Sequence, residues 1–215
     1  MNKIFSILLL AGIIPQFTYT IDTKKRIYRK EVTQKLQEKL DSVKSDVEII
    51  NPDFLRVVDQ LITEGADPNI SGGVGVPAYH AEHGFIGINK NTLLYHLIRG
   101  ADRIHNPDEA LIEKVTKNAL AHGADPNAVF EAAVVFGLPG QVQSLIEYGA
   151  DVSSKNPDSD EPALTILERI INREKEEVSQ MIANQVHQSF ILKQQADIAR
   201  MEQIRDILKA AEQKK

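Results

Sequence analysis

The sequence predicts an all-α fold, a solenoid of helical hairpins with irregular fingers between them and helical caps at both ends. Three observations predict it. Apolar residues recur at helical spacing ahead of a fixed glycine stop, three times along the chain. From Ala163 to Lys215 there is neither a glycine nor a proline to interrupt a helix. Aromatic residues are only 6% of the 215 residues and tryptophan is missing, so small aliphatic side chains must fill the core.

Composition narrows the classes. A hydrophobic fraction of 42% suffices for a globular core and 26% charged residues is ordinary, which excludes a collagenous, low-complexity or wholly disordered chain. The length allows one domain or at most two small ones. With 25 basic and 30 acidic residues the formal net charge is −5, which argues against nucleic-acid binding driven by global charge. The lack of cysteine excludes a disulfide framework, a thiolate metal site, a cysteine nucleophile and a lipid-modified cysteine anchor.

Residues 1–20 read as a secretory signal peptide. Met1-Asn2-Lys3 is a short cationic head, and Ile4 to Ile14 is an apolar run broken by Pro15. A membrane-spanning helix needs about 20 apolar residues, so the run is too short to span. Thr18 and Thr20 occupy the small-residue positions of a cleavage site. An uncleaved interfacial anchor or a buried N-terminal helix is the alternative. Cleavage would leave an exported chain, periplasmic or secreted, of roughly 195 residues. Any membrane contact would come through this segment if it stays uncleaved.

Residues 21–50 form the N-terminal cap. Arg29 to Lys44 is a charged amphipathic helix with Val32, Leu36, Leu40 and Val43 at three- and four-residue steps. The basic run Lys24-Lys25-Arg26-Ile27-Tyr28-Arg29-Lys30 at its start could touch anionic lipid or an acidic partner, but is read as the solvated beginning of this helix. Asn51 then serves as N-cap and Pro52 as the first residue of the next helix.

Residues 51–175 hold the internal repetition. Leu61-Ile62-Thr63-Glu64-Gly65-Ala66-Asp67-Pro68-Asn69 recurs as Ala119-Leu120-Ala121-His122-Gly123-Ala124-Asp125-Pro126-Asn127, and again as Leu145-Ile146-Glu147-Tyr148-Gly149-Ala150-Asp151-Val152. Each copy reads as a helix, a glycine stop and a tight turn. Glycine just past the last turn takes a left-handed conformation that a side chain would penalise by about 1 kcal/mol. Asp-Pro-Asn adds turn chemistry, with proline presetting φ and Asp and Asn bonding nearby backbone.

These endings resemble the second-helix motif of the ankyrin repeat family, and the resemblance covers roughly residues 45 to 175 as about three to four degenerate repeats. It implies an ankyrin-like solenoid in which Gly65, Asp67, Gly123, Asp125, Gly149 and Asp151 are repeat-structural residues. The third copy also has the inter-helix glycine, Gly137. First-helix motifs are weaker. Thr92-Leu93-Leu94-Tyr95-His96-Leu97 keeps the threonine and leucine but has Tyr95 for the motif histidine; Ala128–Ala133 and Pro162–Leu167 keep one residue each. Gly65 and Gly123 are 58 positions apart, whereas Gly123 and Gly149 are only 26 apart. The extra length falls in Ile70 to Asn91, with five of the twelve glycines, and in Arg99 to Asp108. Arg99-Gly100-Ala101-Asp102 is read as an inter-helix loop after a helix closing at Leu97 or Ile98.

Residues 176–215 form a C-terminal helical cap or tail. Val178, Ile182, Val186 and Phe190 make one i, i+4 stripe, and Met201, Ile204, Leu208 and Ala211 a heptad-like one. The tail reads as one long helix or two, folded back or projecting.

Candidate chemistry is sparse. His80-Ala81-Glu82-His83 is the nearest approach to a metal cluster, but zinc needs a third protein ligand that the sequence does not identify. Gly73-Val74-Gly75-Val76-Pro77-Ala78 matches a dinucleotide fingerprint without the strand before it or the helix after it. His122 suits a cation at a helix C-terminus, and Glu168 with Glu174 to Glu177 suits solvated helical faces. No metal, no catalytic residue and no cofactor is therefore expected, nor is a nucleic-acid partner. The resemblance implies a non-catalytic module that binds a protein partner through its concave surface. The long finger 70–91 would add anchors in Tyr79, His80, His83 and Phe85. Two alternatives stand beside it: an envelope structural protein self-associating through its C-terminal helix, and a metal-dependent enzyme.

Overall fold

The computed structural model describes residues 28–70, 92–103, 107–136, 138–155 and 160–214. The described residues are predominantly helical and contain no strand beyond isolated bridge contacts such as Lys155 with Pro162. The all-α expectation holds for them. Residues 1–20, most of the basic run and Gly137 lie outside them, as do Tyr79, His80, His83 and Phe85.

Helix α1 spans Lys30–Asp41 and buries Val32, Leu36 and Leu40, the apolar steps of its amphipathic pattern. A short α2, Asp46–Ile49, leads to α3, Pro52–Thr63. Asn51 caps α3 as its spacing suggests, its Oδ1 accepting from the Asp53 N–H at 2.9 Å with Pro52 at N1. Further on, α5 spans Glu109–Ala121, with the Asp108 carboxylate accepting from the Leu111 N–H at 3.0 Å. A 3-10 turn at Asn127–Val129 runs into α6, Phe130–Phe136, and α7 spans Pro139–Glu147.

One expectation is overturned. Helix α4 runs Leu93–Arg103, straight through Arg99-Gly100-Ala101-Asp102, so that segment is helix and not loop. The reason is burial. Leu97, Ile98 and Ala101 continue the apolar face by a full turn, and all three are at most 2% exposed. Gly100 is not among the residues with positive φ, so it makes no left-handed stop. Arg99 is buried too, its guanidinium 4.4 Å over the Phe136 ring of α6.

The C-terminal region is two helices folded back. Helix α8, Ala163–Ala183, passes unbroken through residue 175, where the sequence pattern divides repeats from tail. Asn184 to His187 turn the chain into α9, Gln188–Glu212. The turn splits the stripe of Val178, Ile182, Val186 and Phe190: Val178 is buried and the other three are exposed. The second stripe does pack, with Met201, Ile204 and Leu208 buried.

The helices pack in two rows. In one, α1 lies against α3, α3 against α5, α5 against α7 and α7 against α9. In the other, α2 lies against α4, α4 against α6 and α6 against α8. Cross-row contacts join α2 to α3, α4 to α5, α6 to α7 and α8 to α9. A single apolar cluster runs through both rows, from Val32 to Leu208.

The three glycine stops have one geometry. Gly65, Gly123 and Gly149 sit at φ of +102°, +98° and +95°. At each, the glycine N–H donates to the carbonyl three residues back and the following alanine N–H to the carbonyl five back, at 2.9–3.0 Å. Each aspartate then closes a turn by accepting the N–H two residues on, at 2.9 Å for Asp67 and Asp125 and 3.0 Å for Asp151.

Neighbouring corners are bonded to each other. Asn69 Oδ1 accepts from the Asp125 N–H at 3.0 Å while its Nδ2 donates to the Gly123 carbonyl at 2.8 Å. Asn127 Oδ1 accepts from the Asp151 N–H at 2.8 Å. On α1, Thr33 Oγ1 takes the same place, accepting from the Asp67 N–H at 3.0 Å. At the far end Ser153 stands where the asparagine would be, and its hydroxyl bonds Asp151 of its own turn. The series ends there.

Three positions test this geometry through stability. Asn69→Ala loses both an acceptor and a donor, and is expected to lower stability by about 1–3 kcal/mol. Asn69→Asp keeps the acceptor and should fall between that variant and wild type. Urea unfolding of all three reads the order, and an unchanged midpoint for Asn69→Ala would show that the corners do not hold one another. Gly123→Ala forces a side chain into left-handed backbone and should cost about 1–2 kcal/mol. Gln185, at φ +56°, is the mirror case, and Gln185→Gly should raise stability by up to about 1 kcal/mol in thermal melts.

Candidate interaction surface

Six of the sequence-predicted residues are brought together by the fold. Gly65, Asp67, Gly123, Asp125, Gly149 and Asp151 form successive corners on one edge of the α3–α5–α7 row. Asn69, Asp125, Asn127, Asp151 and Ser153 are exposed along that edge, but their backbone N–H groups and carboxylates are largely occupied by one another. The result is a fixed polar ridge. The other predicted anchors, Tyr79, His80, His83 and Phe85, fall outside the described residues.

A second clamp ties α3 to α5 beside the ridge. Asp59 accepts from Asn118 Nδ2 at 2.7 Å and from Lys114 Nζ at 2.7 Å, and Asn118 also reaches the Asp59 carbonyl and Thr63 Oγ1. His122 is the C-cap of α5. Its Nδ1 lies 2.9 Å from the Asn118 carbonyl in the last turn of α5, and its own carbonyl accepts from the Tyr28 hydroxyl at 3.1 Å. Arg29 donates its N–H to the Gly65 carbonyl at 2.9 Å. The C-terminal end of the basic run is thus docked over the first two corners.

The charged helical faces carry ion pairs. Glu168 pairs with Lys209 at 2.7 Å, and Glu177 with Arg173 at 3.7 Å. Glu174 meets Arg173 and accepts a hydrogen bond from Gln194. Hydrogen bonding to Glu113, 2.8 Å away, holds the Lys117 ammonium above its ordinary range against the opposing effect of burial. The bond from Lys175 holds the Glu202 carboxyl below its ordinary range, tying α8 to α9. No group of three or more metal-ligating side chains occurs among the described residues.

Three hollows flank α9. One, of about 620 Å³, is an apolar groove against α7 lined by Ile146, Val152, Ile207 and Ala211. A larger cleft of about 1110 Å³ separates α9 from the ends of α4 and α7, with Arg103, Glu109, Lys193 and Arg200 on its walls. The third, of about 470 Å³, lies between α6, α8 and α9 and includes Phe136, Arg169 and Arg173. The cleft beside α4 also holds Ser189, whose hydroxyl lies 2.8 Å from His187 Nδ1.

Sequence reasoning missed two features. Buried His96, with Tyr95 edge-on at 5.9 Å, and buried Arg99 lie on α4, where polar side chains gave no signal of burial. The other is the α8–α9 tip, where Ile182, Phe190 and Leu192 are 55%, 61% and 56% exposed. Its signal was present: no Asp, Glu, Lys or Arg occurs from Val178 to Leu192. No family model matches this chain, and no curated protein or solved structure matches it either.

Proposed function

We propose that this chain is an exported, non-catalytic binding module of ankyrin-like repeats, engaging a protein partner through the face formed by its α2–α4–α6–α8 row and the finger 70–91. The observation that carries this reading is the repeated corner. Three glycine-stopped helix ends share one hydrogen-bond pattern and are linked by Asn69 and Asn127, although the bonded residues are 56 positions apart in one case and 24 in the other. A body built this way is a rigid platform whose exposed side chains are free to vary. Rigidity reduces the ordering cost that binding must overcome.

Export rests on the cationic head and short apolar run of residues 1–20. No helix among the described residues is long and apolar enough to cross a membrane.

Crosslinking mass spectrometry in the native compartment should return both a partner and a location. Peptides from 70–91 are expected to carry the crosslinks. In a pull-down of that partner, Tyr79→Ala combined with Phe85→Ala should weaken capture at least about tenfold, as loss of aromatic anchors does. Unchanged capture after deletion of residues 70–91 would remove the finger from the interface.

A further inference from the structure

The α8–α9 tip is built, not frayed. Val186 N–H donates to the Met181 carbonyl at 3.0 Å and Gln185 N–H to the Ile182 carbonyl at 3.1 Å, the same closure found at the glycine corners. His187 caps α9 by accepting from the Ser189 N–H, and its ring meets Phe190 edge-on at 6.5 Å. On this fixed turn Ile182, Val186, Phe190 and Leu192 are 55%, 37%, 61% and 56% exposed. For side chains of this size that is roughly 300–400 Å² of apolar surface, the range in which a patch on a monomer carries function.

Charge decides what fits it. The chain is 26% charged, yet Val178 to Leu192 holds no Asp, Glu, Lys or Arg, and the polar residues around the patch are Ser179, Gln180, Asn184, Gln185, His187, Gln188 and Ser189. An interfacial lipid-binding helix carries a basic polar face, which this tip lacks. In an interface between two copies related by a two-fold axis, each residue near the axis meets its own copy, so any charge there faces a like charge. A tip without carboxylate, lysine or arginine on a chain of net charge −5 meets that requirement.

We infer that the α8–α9 tip is a contact between two copies of this chain, packed tip against tip about a two-fold axis. Interfaces are about 60% apolar, so the patch corresponds to roughly 1,000–1,400 Å² buried in total, the low end of specific contacts. The dimer is therefore a weak one, dissociating in the range of about 10–100 μM. It does not depend on the partner-binding reading.

Sedimentation velocity of the full chain over about 5–500 μM tests it. A concentration-dependent monomer–dimer equilibrium is expected. Phe190→Glu and Ile182→Lys, both at exposed positions, should each weaken it at least about tenfold by setting like charges face to face. Circular dichroism of both variants checks that the helices persist. Arg56→Gln makes the same unit change in net charge as Phe190→Glu on distant α3, and should leave the equilibrium where it was. A monomer throughout the range overturns the inference, as does a dimer indifferent to both tip variants. Binding of monomer to phosphatidylcholine or phosphatidylglycerol vesicles that is lost with Phe190→Glu assigns the tip to lipid and overturns it equally.

Discussion

The constraint on which this structure depends is the burial of helix faces that no single hairpin can cover. Helix α3 buries Leu55, Val58 and Ile62 completely, but only because α1 and α5 lie on either side of it. An isolated pair of helices of 9–13 residues would expose most of that surface and would be marginal in water. Stacking removes the apolar area, and the hydrogen-bonded corners fix the register at which it happens. The two effects differ in kind. Apolar burial is large and tolerant of small sliding, whereas the Asn69 and Asn127 bonds are worth about 1 kcal/mol each and have one geometry. Packing supplies the stability and the corners supply the alignment.

That division explains why unequal spacing is tolerated. Register is set where Asn69 meets Asp125 and where Asn127 meets Asp151, not by the length of chain between them. Loop-closure entropy grows only logarithmically, so doubling a connection costs about 0.6 kcal/mol. The long stretch between the first two corners is therefore affordable at the scale of one side-chain hydrogen bond. A long segment inside a repeated framework is also where new contacts can be gained without disturbing the core.

Legibility in the sequence followed the same physics. The corners were readable because glycine is nearly obligatory at φ near +100° and because Asp at a turn has few substitutes, so identity and conformation are tightly coupled. The α1 face was readable from Val32, Leu36 and Leu40, whose spacing is that of one helical stripe. The course of α4 was not. Gly100-Ala101-Asp102 repeats the letters of a corner, yet Gly100 remains in helix because Ala101 packs inward and Arg99 lies on Phe136, contacts made by a helix thirty residues away. The turn at Asn184–His187 was equally hidden, since Gln185 occupies the left-handed position that sequence reasoning assigns to glycine. Tertiary packing overrode local preference at both places. As for the proposed binding face, Tyr79, His80, His83 and Phe85 were named from composition, which identifies good anchors but not what they touch.

The two ends of the stack resolve its open faces differently, and the difference bears on association. At the first corner, α1 supplies Thr33 in the role that asparagine plays elsewhere, with Arg29 closing the Gly65 carbonyl, so polar groups and apolar face are satisfied by one helix. At the last, Ser153 turns its hydroxyl back onto Asp151, and no further corner is templated. The apolar face of α7 is covered instead by α9, held antiparallel to α8 by Ile198, Met201, Ile204 and Leu208 and by the Lys175–Glu202 and Lys209–Glu168 pairs. A helical pair long enough to cover that face extends past it, and α8 and α9, at 21 and 25 residues, carry their connecting turn beyond the shorter helices of the rows. The overhang has no neighbour to pack against within the described chain. Its partly apolar surface, without carboxylate, lysine or arginine, is a consequence of how this end is closed, and there the rule that builds the stack, apolar faces meeting, is left without an internal partner.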